Sequence, residues 1–433
     1  MNRYFRKTPY HKLHPPFGPI FGVPAVLRST LLLLVLPLTA LAADRFEFKD
    51  GDRVVLIGST LIEREQRYGY WEAALTARNP DKNITFRNLG WSGDSVWGEA
   101  RAGFGTIADG YKQLVEHVIA EKPTVIIVGY GTNESFAGPE GLPKFKKQLK
   151  KLLDDLAVTK ARFVLLSPPM FEERSWKGPR YENCKKNLKL YSQAIKQEAQ
   201  ERRAWFVDDI LEKYAPVLAA TDDGMHLTDW GYRWTTVGLL EELRQGGAPG
   251  DVVKIIGQSP TRAKHDFLVD PPSPLGLGIA ELSGDCGVMV SKLEPGNYTL
   301  KIDGQAVHTL TAQEEKSWIK SRGNFRVHGS LVREAERWKN GMLGAAVLVL
   351  DGPSLTQAEQ LRQAIIAKNK LYFYRWRPQN VTYLFGFRKY EQGKNAIEIP
   401  KFDPLIVEKE KEIAKLRVPR EHVYELVPVK EKK

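Results

Sequence analysis

The sequence runs TVIIVGYGTNE over residues 124–134, an apolar stretch that ends in glycines and an asparagine. Valine and isoleucine without polar alternation are typical of a strand that is buried on both faces of a parallel sheet. A second run of this kind, residues 54–57, is followed at once by Gly58, Ser59 and Thr60, a pattern typical of a strand that turns into a helix. The two stretches predict strands of one sheet, each ending in a glycine-containing turn.

Strand-like and helix-like segments alternate from residue 54 to residue 243. Further strands are predicted at 84–89, 163–166 and 205–207, and helices at 112–121, 145–156, 188–199 and 229–243, with Asp229 as the cap of the last helix. This alternation predicts the α/β class, a three-layer α/β/α sandwich around a parallel sheet. Because the strand ends of a doubly wound sheet share one edge, residues far apart in sequence converge on one crevice there.

A carboxylate and an imidazole stand three residues apart just before the last of these helices, as Asp223 and His226. A carboxylate at this spacing can hold the histidine in one tautomer and leave its other nitrogen free to take a proton. An isolated pair of this kind would favour a plain surface turn. Here the pair follows three glycine-containing strand ends, and that order favours a catalytic site.

Residues 53–243 resemble the SGNH, or GDSL-type, esterase/lipase family of hydrolases. Four stretches in a fixed order carry the resemblance: GST at 58–60, NLGWSGDS at 88–95, GYGTNE at 129–134 and DGMH at 223–226. An ordered set of four is far more specific than any one of them. The resemblance implies a flavodoxin-like sandwich with an ester hydrolase site.

The resemblance also implies a role for each matching residue. Thr60 falls at the nucleophile position. Its backbone N–H, the N–H of Gly93 and the side chain of Asn133 fall at the oxyanion hole. His226 falls at the general base, and Asp223 at the carboxylate that orients it.

The resemblance is broken at the nucleophile turn, where the family has Gly-Asp-Ser and this chain has Gly58-Ser59-Thr60. Threonine keeps the attacking hydroxyl, but its methyl group restricts χ1 and crowds the approach to a carbonyl. Three interpretations stand: Thr60 attacks, the turn is reshaped to present Ser59, or covalent chemistry is lost and the crevice only binds. We prefer the first, because the other site residues match. Glu134, where the family has aspartate, is expected to brace its loop.

The N-terminus has the features of a signal peptide, predicted at 1–42. Basic residues precede an apolar core at 31–36, and Ala40-Leu41-Ala42 forms an A-x-A cleavage site. The stretch is short for a membrane span and contains Pro37. We therefore expect a periplasmic or secreted protein with no stable membrane span after cleavage near Ala42.

The net charge of +12 falls to +7 without the signal peptide, and the remaining basic residues are interspersed with acids, as in EKEKE at 408–412. This pattern is typical of a solvated helix face and argues against a nucleic-acid partner. The sequence has no Cys/His cluster with metal-ligand spacing, so we expect neither a metal site nor a cofactor. Cys184 and Cys286 either form a disulfide after export or stay as two buried thiols.

The 433 residues are enough for more than one domain. We predict a hydrolase-like domain at 43–248, a linker at 249–274, a small β-rich unit at 275–350 and a helical, aromatic-rich extension at 351–433. Aromatic and arginine residues interleave at 372–388, between helices predicted at 356–370 and 404–416. They form either a sugar-stacking platform or, as the commoner case, a seam that joins the extension to the core. This long build is similar to exported SGNH-like proteins of planctomycete-type bacteria.

The sequence thus predicts an exported hydrolase that cleaves carboxylic esters of small molecules or polysaccharides by acyl transfer, with acetyl groups on carbohydrates as the first expectation. The alternative is a catalytically silent protein of the same fold that binds glycans or serves as a scaffold. The acyl group and the oligomeric state are left open by the sequence.

Overall fold

The computed structural model describes residues 45–173, 177–211, 220–244, 253–256, 260–264, 288–291, 297–310, 325–327, 353–391 and 395–429. The predicted signal peptide (1–42) and Cys286 lie outside these residues, and Cys184 forms no disulfide within them. Among the helices of these stretches, none is long and apolar enough to cross a membrane.

Five parallel strands form the central sheet, in the order β2-β1-β3-β4-β5. Their bounds are β1 (Arg53–Gly58), β2 (Thr85–Asn88), β3 (Val125–Gly129), β4 (Arg162–Leu166) and β5 (Trp205–Val207). Every residue of β3 is buried, as its unbroken apolar run predicts. The strand order reverses between β1 and β3, and a ligand crevice forms at the carboxyl ends of strands at such a switch point.

Helices cover both faces of this sheet. Alternate residues of β1 point to opposite layers: Val54 and Leu56 join one core cluster, and Val55 and Ile57 join the other. The first cluster contains residues of α1, α2 and α6, and the second contains residues of α3, α4 and α5. The predicted three-layer α/β/α sandwich is therefore confirmed. The helices are α1 (Thr60–Tyr68), α2 (Tyr70–Ala77), α3 (Ile107–Ala120), α4 (Gly138–Leu156), α5 (Gly178–Arg202) and α6 (Asp229–Glu242).

Three helices begin earlier than the sequence predicts, α3 by five residues, α4 by seven and α5 by ten, and the cap of α6 also differs from the prediction. α3 begins five residues before the predicted position, because Thr106 and Asp109 form a capping box. The cap of α6 is Thr228, whose hydroxyl accepts the N–H of Gly231, so the prediction that Asp229 caps this helix was wrong.

The described residues of the C-terminal part contain three further α-helices, α7 (Pro353–Trp376), α8 (Val381–Leu384) and α9 (Phe402–Leu416), and a 3₁₀-helix at Asn395–Lys401. The aromatic run predicted to lie between helices instead forms the last turns of α7 as far as Trp376. Tyr372 is buried in a core cluster of the sandwich, and Trp376 packs against that cluster. Phe385 and Phe387 are exposed. The first half of the aromatic stretch is thus a seam with the core, and the second half faces solvent.

A buried ion pair holds α7 on the sandwich. Lys368 donates to Glu72 of α2 at 2.6 Å, and Asn369 donates to the other oxygen of that carboxylate at 3.1 Å. All three side chains are almost fully buried. Removing one partner of such a pair leaves an uncompensated buried charge, which typically destabilises a fold by about 3–5 kcal/mol.

Short strands beyond the sandwich pair into two smaller sheets. One is antiparallel, with the order β10-β9-β12-β7, and the other has the order β11-β8-β6. β6 and β7 lie in the range predicted to be a linker, and β12 closes the extension predicted to be helical. Strand pairing therefore joins segments that the sequence assigned to three separate units. The bounds are β6 (Val253–Ile256), β7 (Thr261–Lys264), β8 (Val288–Ser291), β9 (Tyr298–Ile302), β10 (Gln305–Leu310), β11 (Phe325–Val327) and β12 (Glu421–Pro428).

Candidate active site

The turn from β1 into α1 carries both candidate hydroxyls. Gly58 ends β1 with φ 157°, and a Cβ there would lie 2.5 Å from the carbonyl oxygen of Gly129 on β3. Only glycine allows the two strand ends to approach this closely. Ser59 follows as the cap residue, and Thr60 is the first residue of α1. The backbone N–H of Thr60 has no acceptor within the helix, because it lies in the first turn.

Gly93 brings a second backbone N–H to Thr60. Its N–H donates to Oγ1 of Thr60, with 3.3 Å between the nitrogen and the oxygen. Gly93 has φ 76°, in the region that residues with a Cβ rarely adopt. The glycine therefore lets this loop turn an amide toward the hydroxyl.

Asn133 and Glu134 tie this loop to the end of β3. One amide hydrogen of Asn133 is donated to the carbonyl of Asp94 at 2.7 Å, which leaves its second hydrogen for a ligand. Glu134 accepts the N–H groups of Val96 and Gly131, each at 2.8 Å. Burial raises the pKa of Glu134 to about 7, although these two amides act in the opposite direction. The glutamate braces the loop, as predicted from the sequence.

Asp223 and His226 form a hydrogen-bonded pair. Oδ2 of Asp223 lies 2.7 Å from Nδ1 of His226, and Oδ1 accepts the N–H groups of His226 and Met225 at 2.9 and 3.0 Å. Burial acts to raise the pKa of Asp223, but these amides and the imidazole outweigh it and lower the pKa to about 2. An ionised carboxylate at Nδ1 favours the tautomer in which that nitrogen carries the proton and Nε2 is free to accept one.

One pocket brings the predicted residues together. Ser59, Thr60, Asn133 and His226 all line it. Gly93 joins the site through its contact with Thr60, and Asp223 joins it through His226. Within the described residues, no hydrogen bond joins the His226 ring to either hydroxyl; catalytic hydrogen bonds are often long in unliganded enzymes and tighten in the complex.

Comparison with known families identifies the segment that holds this site. Residues 54–234 match the sequence profile of the GDSL-like Lipase/Acylhydrolase family. This segment is a GDSL-like hydrolase domain. Each of the candidate residues, from Ser59 to His226, lies within it.

Several solved structures are similar to this chain, and one of them shares its fold over most of its length. A gut microbial diltiazem-metabolizing enzyme is 15% identical, with 88% of this chain and 99% of that chain covered, at a TM-score of 0.59. A mutant of an acetylxylan esterase from Geobacillus stearothermophilus is 19% identical over 45% of this chain and 95% of its own, at a TM-score of 0.37. A putative GDSL-like lipase from Parabacteroides merdae is 15% identical over 46% of this chain and 99% of its own, also at 0.37. No protein with curated annotation matches the sequence significantly.

Glu172 holds the Asp–His loop of the GDSL-like domain in place, and the sequence analysis did not identify it. Its carboxylate accepts the N–H groups of Ala220 and Thr221, each at 2.8 Å, and the hydroxyl of Thr221. Its own N–H donates to the carbonyl of Gly224 at 2.8 Å. Glu172 precedes this loop by about fifty residues and belongs to no motif, so no local pattern marks it.

The pocket of the GDSL-like domain has further lining residues that the sequence analysis missed. Arg64 could have been found, since it stands four residues after Thr60 on α1 and so shares its face. The others come from separate loops and helices and carry no common pattern. Within the described residues, no group of His, Cys, Asp or Glu is arranged to hold a metal ion. The missed lining residues are Leu61, Arg64, Thr132, Pro169, Met225, Leu227 and Tyr232.

Proposed function

We propose that the protein hydrolyses carboxylic esters by acyl transfer, with the hydroxyl of Thr60 as the nucleophile. The observation that carries the proposal is the surroundings of that hydroxyl. Oγ1 of Thr60 accepts a hydrogen bond from the N–H of Gly93. It shares a pocket with His226, whose Nδ1 is hydrogen-bonded to Asp223. Nucleophile, base, orienting carboxylate and oxyanion donor are the parts that acyl transfer needs.

In the proposed reaction, Nε2 of His226 takes the proton of Thr60 as Oγ1 attacks the ester carbonyl. The negative charge that develops on the carbonyl oxygen is stabilised by the N–H groups of Thr60 and Gly93 and by the free amide hydrogen of Asn133. Losing one such donor typically costs about 3 kcal/mol of barrier. The imidazolium then returns its proton to the departing alcohol, and water activated by His226 cleaves the acyl-threonine.

We prefer Thr60 to Ser59 as the nucleophile because the loop that carries Gly93 contacts Thr60. The Gly93 amide donates to the threonine oxygen, whereas Ser59 is the cap residue of α1 and is only 4% exposed. The methyl group of Thr60 limits its rotamers, so we expect a slow enzyme. Thr60→Ser keeps the oxygen and frees χ1, and we expect its turnover to equal or exceed that of the wild type.

For the substrate, we propose a small acyl group, acetyl foremost, carried by a carbohydrate. Apolar side chains of Leu61, Pro169 and Met225 line the pocket beside the hydroxyl and suit a short acyl chain. The predicted export would place the enzyme among extracellular or periplasmic polysaccharides, and acetylated xylo-oligosaccharides are the natural compounds to assay first.

The test is hydrolysis of p-nitrophenyl acetate by the purified wild type, Thr60→Val and Ser59→Ala, with denatured protein as background. We expect wild-type turnover well above background, loss of activity in Thr60→Val and little change in Ser59→Ala. The reverse pattern would move the nucleophile to Ser59. A wild type with no activity on this ester or on acetylated sugars would contradict ester hydrolysis and favour the silent, glycan-binding alternative.

A further inference from the structure

Helix α7 lies outside the GDSL-like domain in sequence, yet it ends beside the loop that carries Gly93. Trp376 is its last residue and Arg377 follows. The guanidinium carbon of Arg377 lies 3.5 Å from the ring centroid of Trp91, two residues before Gly93. A guanidinium stacked this closely on an indole is attracted by the ring quadrupole.

Arg377 also contacts the loop through a shared carboxylate. Its Nη1 donates to Oε2 of Glu63 at 3.0 Å, and the same oxygen accepts the backbone N–H of Ser92 at 2.5 Å. Glu63 stands on α1, three residues after Thr60. One carboxylate therefore connects the nucleophile helix, the amide next to Gly93 and the arginine after α7.

The indole of Trp91 has two more partners. Trp376 meets it edge to face at 5.8 Å between ring centroids, and the guanidinium carbon of Arg101 lies 5.4 Å from its centroid. Arg101 is itself bound to Asp94 at 2.7 Å, with both side chains fully buried. The loop at 91–94 is thus held from within the domain by Arg101 and from outside it by Trp376 and Arg377.

We propose that Arg377 is a positioning residue for the oxyanion hole, which it maintains by holding Trp91 and Ser92 so that the N–H of Gly93 faces Oγ1 of Thr60. The catalytic consequence rests on the proposed esterase function; the effect on the loop does not. Without Arg377, the Glu63 side chain, which is 9% exposed, keeps Arg67 at 3.9 Å as its one cationic partner among the described residues. A misplacement of about 1 Å in a catalytic group can lower a rate by about 100-fold.

The chain offers a matched control two residues away. Arg375 lies in the last turn of α7 and pairs with Asp403 on α9 at 2.8 Å, so it ties the C-terminal helices together. Arg375→Ala removes a guanidinium of the same helix end without removing a contact to Trp91 or Glu63. Arg377→Lys keeps the charge but loses the planar group that stacks on the indole and donates in a fixed direction.

The kinetic test compares Arg377→Ala, Arg377→Lys and Arg375→Ala on p-nitrophenyl acetate. We expect Arg377→Ala to lower kcat by about 10- to 100-fold with KM within about threefold, since an oxyanion donor acts mainly in the transition state. Arg377→Lys should be intermediate, and Arg375→Ala should match the wild type. Equal losses in Arg377→Ala and Arg375→Ala would mean that α7 only stabilises the fold, and would overturn the proposal.

Hydrogen–deuterium exchange supplies a readout that needs no activity. The amides of Ser92 and Gly93 should exchange at least about tenfold faster in Arg377→Ala than in the wild type, and should be unchanged in Arg375→Ala. Faster exchange in a protein without esterase activity would support the positioning role and reject the proposed function. Unchanged exchange in Arg377→Ala would reject the positioning role, whatever the activity.

Discussion

Two Asp–His pairs in this protein share one geometry. The distance from Oδ2 to Nδ1 is 2.7 Å both in Asp223–His226 and in Asp303–His422. The second carboxylate oxygen accepts a backbone N–H at 2.9 Å in each pair, from His226 in the first and from Val423 in the second. Judged by the pair alone, both are equally suited to orient an imidazole.

Their surroundings differ at the other ring nitrogen. His226 lines a pocket that also holds Thr60 and Ser59, and its side chain is 26% exposed. His422 stands on β12, its side chain is 6% exposed, and its Nε2 is buried without a hydrogen-bond partner in the described part of the chain. A carboxylate can select a tautomer in either place, but catalysis also needs a hydroxyl and amide donors at the free nitrogen.

The largest expected contrast comes from removing each imidazole. His226→Ala should lower kcat/KM for p-nitrophenyl acetate by about 10⁴-fold, because it removes the proposed general base. His422→Ala should keep activity within about threefold and should lower the melting temperature, because it empties a buried position. Steady-state kinetics and thermal denaturation of both variants are the measurements. Comparable loss of activity in the two would show that the pocket does not distinguish the pairs.

A smaller contrast comes from neutralising each carboxylate. Asp223→Asn keeps an acceptor for the His226 amide but no longer favours the tautomer with Nε2 free, so turnover should fall by about 10²- to 10⁴-fold. Asp303→Asn, the matched control, should leave turnover unchanged. Unfolding should be followed in parallel to verify that each variant is folded. Full turnover in Asp223→Asn would remove the dyad from the mechanism.

The smallest expected effect is on the pH dependence of the unfolding free energy. The exposed carboxylates of Asp223 and Asp303 should change it in one direction, and the buried carboxylate of Glu65 in the other. Hydrogen bonds lower the pKa of both Asp223 and Asp303, so the stability that they contribute is present above about pH 4 and is lost as the pH falls through their folded pKa values. Burial, with Glu72 nearby, raises the pKa of Glu65 to about 7 although backbone amides oppose this. Its contribution is therefore complete below about pH 4.5 and is lost as the pH rises through 7.

Glu65→Gln tests the expected loss of stability as the pH rises through 7. Glutamine keeps an acceptor for the N–H of Trp71, which Glu65 binds at 3.0 Å, but it cannot ionise. The wild type should lose on the order of 2–3 kcal/mol of unfolding free energy between pH 5 and pH 8 from this residue, and the variant should show a flatter profile. The unfolding free energy of both proteins is measured by urea denaturation at several pH values. Parallel profiles for the two proteins would contradict the raised pKa.

Two local errors in the sequence prediction, at the start of α3 and at the cap of α6, came from overlooked capping residues. Thr106 and Asp109 form a capping box that can be read from their spacing of three, yet the prediction placed the start of α3 at residue 112. The end of α7 was missed for another reason. Tyr372 and Trp376 extend that helix at a spacing of four, but whether such aromatics continue a helix depends on the surface that receives them.

The sequence by itself determined the parallel sheet and indicated the candidate residues that meet at one of its edges. Unbroken apolar runs specify strands buried on both faces, the ends of such strands share one edge, and Asp223 and His226 stand only three residues apart. These features depend on local spacing and on a burial pattern, both of which can be read along the chain.

Only the tertiary structure decided which residues support that site and where the C-terminal part packs. Glu172, the Glu63–Arg377 contact and the Asp303–His422 pair join residues separated by 48 to 314 positions. No periodicity links such partners, because each contact forms only after packing has brought two distant segments together. For the same reason, the sequence analysis did not find the Asp303–His422 pair, whose partners stand 119 positions apart.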